Sequence, residues 1–378
     1  MASRHLTSAA LASLWRRAGC PFEKLACRSR GRRQLGFSYI IERRDWSIGR
    51  DGEMIVAHLR RLQPQINCAI STSSRGLHCR VIHFGSIWCF LANIKQTHHS
   101  NRIVVTVFHG HEGMGAEMQQ AMETLRQYVP RLDVVVTASS LMRGRLQALG
   151  VPETKLHLIP IGVDLDLFRP ASTEERWQRR RRLGIPDEAI CIGSFQKDGV
   201  GWGEGLEPKL IKGPDVFVET VTRLSKNYPL FVLLTGPARG YVKRRLEAAG
   251  IPYRHDYVSD FGELPSYYHC LDLYLITSRE EGGPKALLEC MATGVPLVST
   301  RVGMVADVLE DGVNGLVVDV EDVDGLLRGA VRMIEHVDFR RRAVDCGLRT
   351  VREYDWSAIV PRYYEQVYAP LLEQRNGR

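Results

Sequence analysis

Two carboxylates eight residues apart, Glu281 and Glu289, flank a Gly-Gly-Pro-Lys run in the stretch SREEGGPKALLECMATGVPLVST, residues 278–300. Paired carboxylates first suggest general acid and base work. The residues between them suggest a different use. Pro284 suits the first position of a helix, Gly294 its left-handed stop and Pro296 the position beyond, which predicts a helix over 284–293. Gly282 and Gly283 leave backbone N–H groups uncovered at the positive end of that helix, where an anion such as a pyrophosphate can be held without side-chain charge. Glu281 stands at the lip of such a site. Two readings are open for Glu289. With Lys285 and Thr293 it can form one solvated stripe at four-residue spacing. Alternatively it points inward, where an ionised carboxylate accepts both hydroxyls of a ribose diol. The preceding DLYLITS (272–278) reads as a buried strand, and ligands of open α/β sheets bind at the carboxyl ends of strands, which favours the inward reading.

The elements that must position these groups are legible as alternating patterns. Short β-branched and aliphatic runs predict strands at FSYII, RVIHF, IVVTVF, DVVVTA and LHLIP in the first half, and at AICIGSF, LFVLLTG, DLYLIT, PLVST and GLVVD in the second. Amphipathic stretches such as SLMRGRLQALG (140–150) and GPDVFVETVTRLSKN (213–227) separate them, so the class is α/β with largely parallel strands. A chain of 378 residues exceeds one ordinary core and predicts two domains. The expected organisation is a basic leader over 1–35, an N-terminal domain over 36–175, a C-terminal domain over 186–355 and a terminal helix over 356–378. That last helix, rich in aromatics, is expected to pack across the domain interface. The TEERWQRRRR segment (173–182) near the break reads as a solvated surface helix, or as a patch for anionic lipid headgroups.

Composition narrows the function. No apolar run approaches the ~20 residues of a membrane span. The net charge of +8 is concentrated at the start of the chain, where eight Lys and Arg face only Glu23 within residues 1–35. The remainder is close to neutral and offers no overall field for a polyanion, so no nucleic-acid partner is expected. The leader resembles a transit peptide or a basic arm, or is an over-extended start. Nine scattered cysteines without a Cys-x-x-Cys argue against a disulfide framework or a zinc site. They fit a reducing compartment, so a cytoplasmic location is expected, with peripheral contact to an anionic membrane as an extension of it.

The stretch SREEGGPKALLECMATGVPLVSTRVGMVADVLEDGVNGLVVD closely resembles the nucleotide-sugar signature of glycosyltransferase family 4, also described as glycosyl transferases group 1. The resemblance extends through LDVVVTASSLMRGRLQALGVPETKLHLIPIGVDLDLFRP and IKGPDVFVETVTRL and covers most of residues 36–370. It implies the GT-B fold, two Rossmann-like α/β domains facing across a cleft. It also implies a retaining, metal-independent transferase that moves a sugar from a UDP- or GDP-sugar to a hydroxyl of a glycan, lipid or small molecule. The family's Glu-x7-Glu pair falls on Glu281 and Glu289, which would hold donor-sugar hydroxyls and the nucleotide ribose. The backbone from Gly282 and Gly283 through Pro284 to Lys285 would face the sugar and diphosphate. The lysine of the family's Lys-Gly motif, which neutralises the diphosphate, matches Lys212. A histidine near the reacting sugar matches His109 in VVTVFHGHEG, with His111 as the alternative. DWSIGRDG (45–52) is expected in the first strand-to-helix loop, where the family often carries glycines close to the donor or acceptor, and Gly49 and Gly52 fit.

Two departures stand out. Family members commonly carry an arginine after the glycine that ends the IG strand, whereas here Gly193 is followed by Ser194, and the nearest cation, Lys197, is expected to bind the donor diphosphate with Lys212 in its place. An insertion, KDGVGWGEGLEPKLI (197–211), precedes Lys212, and its glycines suggest either a mobile flap in which Trp202 caps a sugar or a plain surface loop. The nucleotide-sugar would be a substrate, and neither cofactor nor metal is expected. The contrasting readings are a non-catalytic relative that binds nucleotide as a scaffold or regulator, and a nucleotide-sugar epimerase.

Overall fold

The computed structural model describes residues 36–42 and 47–373, so the leader over 1–35, together with Asp45 and Trp46, lies outside the described residues. The chain forms two units. The first takes the chain up to Thr137, then Arg145–Ile159 and the segment from Val360 onward; the second takes Ala138–Gly144 and Pro160–Ile359.

The first unit is built on a sheet of β1 (Gly36–Ile40), β2 (Cys68–Ser71), β3 (Arg80–Phe84), β4 (Arg102–Thr106), β5 (Val134–Thr137) and β6 (Leu156–Leu158), in the order β2-β1-β3-β4-β5-β6. The second holds β7 (Ile190–Phe195), β8 (Leu230–Thr235), β9 (Tyr253–Asp256), β10 (Leu273–Ile276), β11 (Leu297–Thr300) and β12 (Leu316–Val318), in the order β12-β11-β10-β7-β8-β9. Every strand pair is parallel. Parallel neighbours need crossovers, and the helices supply them, burying both faces of the central strands. That is why strands such as LFVLLT read as unbroken apolar runs. β2 and β9 were not foreseen from the sequence. Both are edge strands, and CAIS and YRHD are half-exposed and carry little apolar pattern.

Strand order reverses between β1 and β3 in the first sheet and between β7 and β10 in the second, which sets a topological switch point at the carboxyl end of each. The second core packs Phe217, Val221 and Leu326 from helices against Ile192, Leu234, Leu275 and Val298 of the strands.

The C-terminal residues run as a helix Trp356–Tyr363, a π-helical turn Tyr364–Tyr368 and a helix Ala369–Glu373. The wider π turn brings Tyr363 and Tyr368 into a stack at 5.8 Å, both buried in the first unit. The Tyr368 hydroxyl pairs with Nδ1 of His83 at 2.7 Å, and Thr106 Oγ1 takes Nε2 at 2.7 Å. Burial in this lock pushes the His83 pKa from 6.5 down to about 3.

Helix Thr173–Arg182 is only partly the solvated face expected of TEERWQRRRR. Arg180 is buried, donating to the Cys270, Ala189 and Pro186 carbonyls and pairing with Asp272 at 2.9 Å. Arg176 reaches the other Asp272 oxygen at 2.6 Å. Asp272 also accepts from the Cys191 backbone at 2.8 Å, so the two arginines pin this helix to the start of β10. Among the described residues Cys68, Cys89, Cys191, Cys270, Cys290 and Cys346 are free thiols.

Candidate active site

The switch point of the second sheet is assembled from the loops after β7 and β10. Past β7 the chain makes its insertion and then a 3₁₀ turn, Leu210–Lys212, before helix Pro214–Leu224. Gly213 joins them with φ 60°, a left-handed conformation that glycine adopts without cost. No side chain fits there in any case, since a Cβ on Gly213 would overlap the Thr277 carbonyl oxygen. Thr277 Oγ1 fastens the same junction by donating to the Gly213 carbonyl at 2.9 Å. Arg279 completes the clamp: it holds both oxygens of Asp215 at 2.8 Å, and its backbone N–H donates to Ile211 at 2.8 Å. The bidentate pair lowers the Asp215 pKa and raises that of Arg279.

Bound this way, the two loops bring Lys212 and Glu281 together. Lys212 Nζ lies 2.6 Å from Glu281 Oε1, and Ser278 Oγ donates to the same oxygen at 3.0 Å. The pair is largely shielded, with side-chain exposures of 24% and 13%, so its attraction is less screened than at an open surface.

Beyond Glu281 the backbone turns tightly. The Met304 N–H donates to the Gly282 carbonyl at 3.0 Å, and a Cβ on Gly283 would lie 2.7 Å from Met304 Sδ. The helix that follows is Lys285–Thr293, with Pro284 as its N-cap and Gly294 as its stop at φ 73°. Pro284 thus sits one position earlier than expected. The solvated stripe does not exist: Glu289 and Thr293 are buried, and the Lys285 ammonium lies 5.8 Å from the centre of the Trp356 ring. Glu289 points inward and accepts from the Tyr268 hydroxyl at 2.6 Å. Tyr268 is wholly buried beside Phe195 and Tyr274, and burial together with the Glu289 charge drives its pKa well up.

The insertion has a fixed stem. Asp198 and Lys209 join through their backbones at 2.7 Å, and Val200 and Glu207 at 2.9 Å, forming a short antiparallel stem. Gly199 and Gly205 press against the Ala238 backbone so closely that neither admits a Cβ. Arg239, not foreseen from the sequence, anchors it from beneath. Fully buried, it lies 3.0 Å from Asp198 and donates to the carbonyls of Ser194, Gln196 and Thr235 and to the Ser194 hydroxyl. Ser194 is therefore backed by an arginine, but one committed to the scaffold. Trp202 at the tip is exposed, as are Val200, Leu206 and Leu210, and Lys197 Nζ sits 4.3 Å from the centre of the Trp202 ring.

The remaining expected residues belong to the first unit. His109 is half-buried in the loop after β4. His111 is exposed, and its Nδ1 accepts from the Gly113 N–H at 3.0 Å as a local cap. Gly49 and Gly52 do not lie in a loop: both are inside helix Ser47–Leu62. The helix tolerates glycine because it approaches β1 closely; a Cβ on Gly52 would lie 2.7 Å from the Tyr39 ring.

Comparison with known proteins bears on what this arrangement serves. Residues 8–167 match the family described as Glycosyltransferase Family 4, and residues 204–336 match Glycosyl transferases group 1. A lipopolysaccharide core biosynthesis mannosyltransferase of Rhizobium meliloti is 28% identical over 55% of this chain and 57% of its own. A GDP-mannose-dependent alpha-(1-6)-phosphatidylinositol monomannoside mannosyltransferase of Mycolicibacterium smegmatis is 27% identical over 60% of this chain and 59% of its own. The chain thus spans somewhat over half the length of these relatives. Among solved structures, Anabaena HepE in complex with UDP and glucose aligns with a TM-score of 0.73 at 13% identity, over 89% of this chain and 100% of that one. A glycosyltransferase from Rickettsia africae aligns at 0.70 and 14% identity, over 91% and 100%.

Proposed function

Since the chain belongs to the group 1, family 4 glycosyltransferases and has their GT-B fold, we propose that it transfers a sugar from a UDP- or GDP-sugar to a hydroxyl of a glycan, lipid or small molecule, with retention of configuration. The observation that carries this reading is the Lys212–Glu281 pair, set across the switch point of the second sheet beside a glycine-led helix start and the inward-facing Glu289. A nucleoside diphosphate offers complementary chemistry to each part. The relatives named for GDP-mannose and the neighbour solved with UDP support the donor class.

The leaving group is an anionic diphosphate, so the main demand is to stabilise charge developing on its oxygens. Lys212 would meet that charge, exchanging its pairing with Glu281 for the phosphate, while the backbone N–H groups around Gly282 and Gly283 and at the start of helix Lys285–Thr293 add to the field. Glu281, released from Lys212, would accept hydroxyls of the sugar, and Ser278 would keep it oriented. Glu289, held by Tyr268, would accept the ribose diol. The reading takes the leaving phosphate itself as the group that helps deprotonate the acceptor, on the same face, with neither an enzymic nucleophile nor a metal ion in the step.

The test is calorimetric titration with UDP and GDP, followed by turnover of UDP- and GDP-hexoses with NMR analysis of products. Transfer or slow hydrolysis with an α-configured product supports the proposal. Binding without turnover of any common donor would make the protein a nucleotide-binding relative, and conversion of donor to an epimer without an acceptor would make it an epimerase.

A further inference from the structure

Three lysines gather where the insertion meets the switch point, and they are not equivalent. Lys212 is paired with Glu281 at 2.6 Å. Lys197 lies over the Trp202 ring at 4.3 Å. Lys209 stands between them in the chain, half-buried, and among the described residues no carboxylate forms an ion pair with its ammonium group.

Its position is set by the fold on both sides. The Lys209 N–H closes the stem of the insertion on the Asp198 carbonyl, beside Lys197, at 2.7 Å. Its own carbonyl accepts from the Lys212 N–H at 2.8 Å, opening the 3₁₀ turn Leu210–Lys212. That bond holds the backbone of Lys209, the N-cap, one turn from Lys212. The stem cannot easily drift, because Gly199 and Gly205 are seated on the Ala238 backbone and Asp198 is paired with the buried Arg239. Burial, then the Lys212 and Lys197 charges, hold the Lys209 pKa below the usual lysine value, while Glu281 opposes them. A partly desolvated cation beside two like charges is uncomfortable until an anion arrives.

We propose that Lys209 is the second diphosphate-binding cation of this protein, presented by the stem of the 197–211 insertion and acting with Lys212 on the same anion. Ser194 can then be small, because the cation comes from the far end of the insertion and the arginine beneath Ser194 is spent on carbonyls and Asp198. The assignment rests on the nucleotide-sugar reading above. It gives the insertion a purpose: its stem ties Lys209, already three residues from Lys212, back to Asp198 beside the end of β7.

The test measures calorimetric affinity for UDP, GDP and inorganic pyrophosphate, alongside uridine and guanosine, on the full chain. Lys209→Ala and Lys209→Gln are expected to weaken the diphosphates on the order of tenfold and to leave the nucleosides unchanged. Lys209→Arg should restore most of the loss, and Lys197→Ala should change little. Thermal melts within about two degrees of the parent would place the loss in binding rather than in folding. Undiminished diphosphate affinity in both Lys209 variants, or a loss that follows Lys197→Ala instead, overturns this assignment and leaves the proposed function standing. A parent protein that binds neither nucleoside diphosphate nor pyrophosphate overturns both.

Discussion

The two sheets share strand number, strand direction and the possession of a switch point, yet what occupies each switch point differs in kind. At the first, between β1 and β3, the close contacts are steric: a Cβ on either Gly52 or Gly85 would lie 2.7 Å from the Tyr39 ring. Among the described polar residues there, His83 is turned into the core and locked by Tyr368 and Thr106, and Glu42 accepts from the Ser86 hydroxyl at 2.6 Å. At the second, between β7 and β10, the contacts are ionic: Lys212 with Glu281, and Arg279 with Asp215. Strand order creates a crevice at the carboxyl end in both. Among the described residues, side-chain chemistry makes the second crevice a site of paired charges and the first a joint of packed rings and hydrogen bonds.

The largest effect expected from breaking this contrast is at Lys212. Lys212→Ala should cut turnover by about 10²–10³-fold, the order measured for loss of one preorganised contact to developing charge. Steady-state kinetics on the preferred donor would show it, and near-parental turnover would place the diphosphate elsewhere. Gly213→Ala tests the same switch point through the backbone. The added Cβ collides with the Thr277 carbonyl and must also adopt a positive φ, so a loss of about 3 kcal/mol in denaturant unfolding is expected. Gly52→Ala in the first unit meets a side-chain ring instead, and about 1 kcal/mol is expected for it. Equal costs would erase the distinction between the two joints.

Acid should act on the first unit through His83. Burial holds its folded pKa at about 3 against 6.5 for the free side chain, so the neutral ring stabilises the fold fully above pH 6.5. As pH falls from there towards 3, the unfolded chain takes up a proton that the folded chain refuses. Stability then drops by about 1.4 kcal/mol per pH unit, or about 2 kcal/mol by pH 5. Hydrogen exchange of β3 amides across that range would show it, and His83→Phe should flatten the profile. The smallest effect belongs to Tyr268→Phe, which removes the 2.6 Å donor to Glu289. About 1 kcal/mol, or roughly fivefold in nucleoside diphosphate affinity, is expected from calorimetry.

The central strands, the α/β class and the helix stop at Gly294 were all readable in the sequence, because fully buried strands leave unbroken apolar runs and a left-handed cap selects glycine. β2 and β9 escaped because edge strands carry a weak pattern. Gly49 and Gly52 looked like loop residues because glycine usually disfavours helix interiors, and the close approach to Tyr39 that permits Gly52 is a tertiary fact. The orientation of Glu289 was undecidable from four-residue spacing alone, since Tyr268 lies 21 positions away. Arg239 and Arg180 escaped for a related reason: an arginine spent on carbonyls reads in sequence like any surface arginine. Lys209 was hidden by the insertion, whose glycines suggested mobility while two of them in fact seat its stem.

The segment from Val360 onward folds with the first unit although all of Pro160–Ile359 belongs to the second. The first unit is therefore not a contiguous stretch of gene. A fragment ending at Ile159 would leave His83 without its Tyr368 partner and Phe37 without the ring that packs on it at 4.6 Å. A premature stop near the end of the message would thus damage the beginning of the protein. Isolating that unit for study calls for a circular permutant that rejoins its two ends.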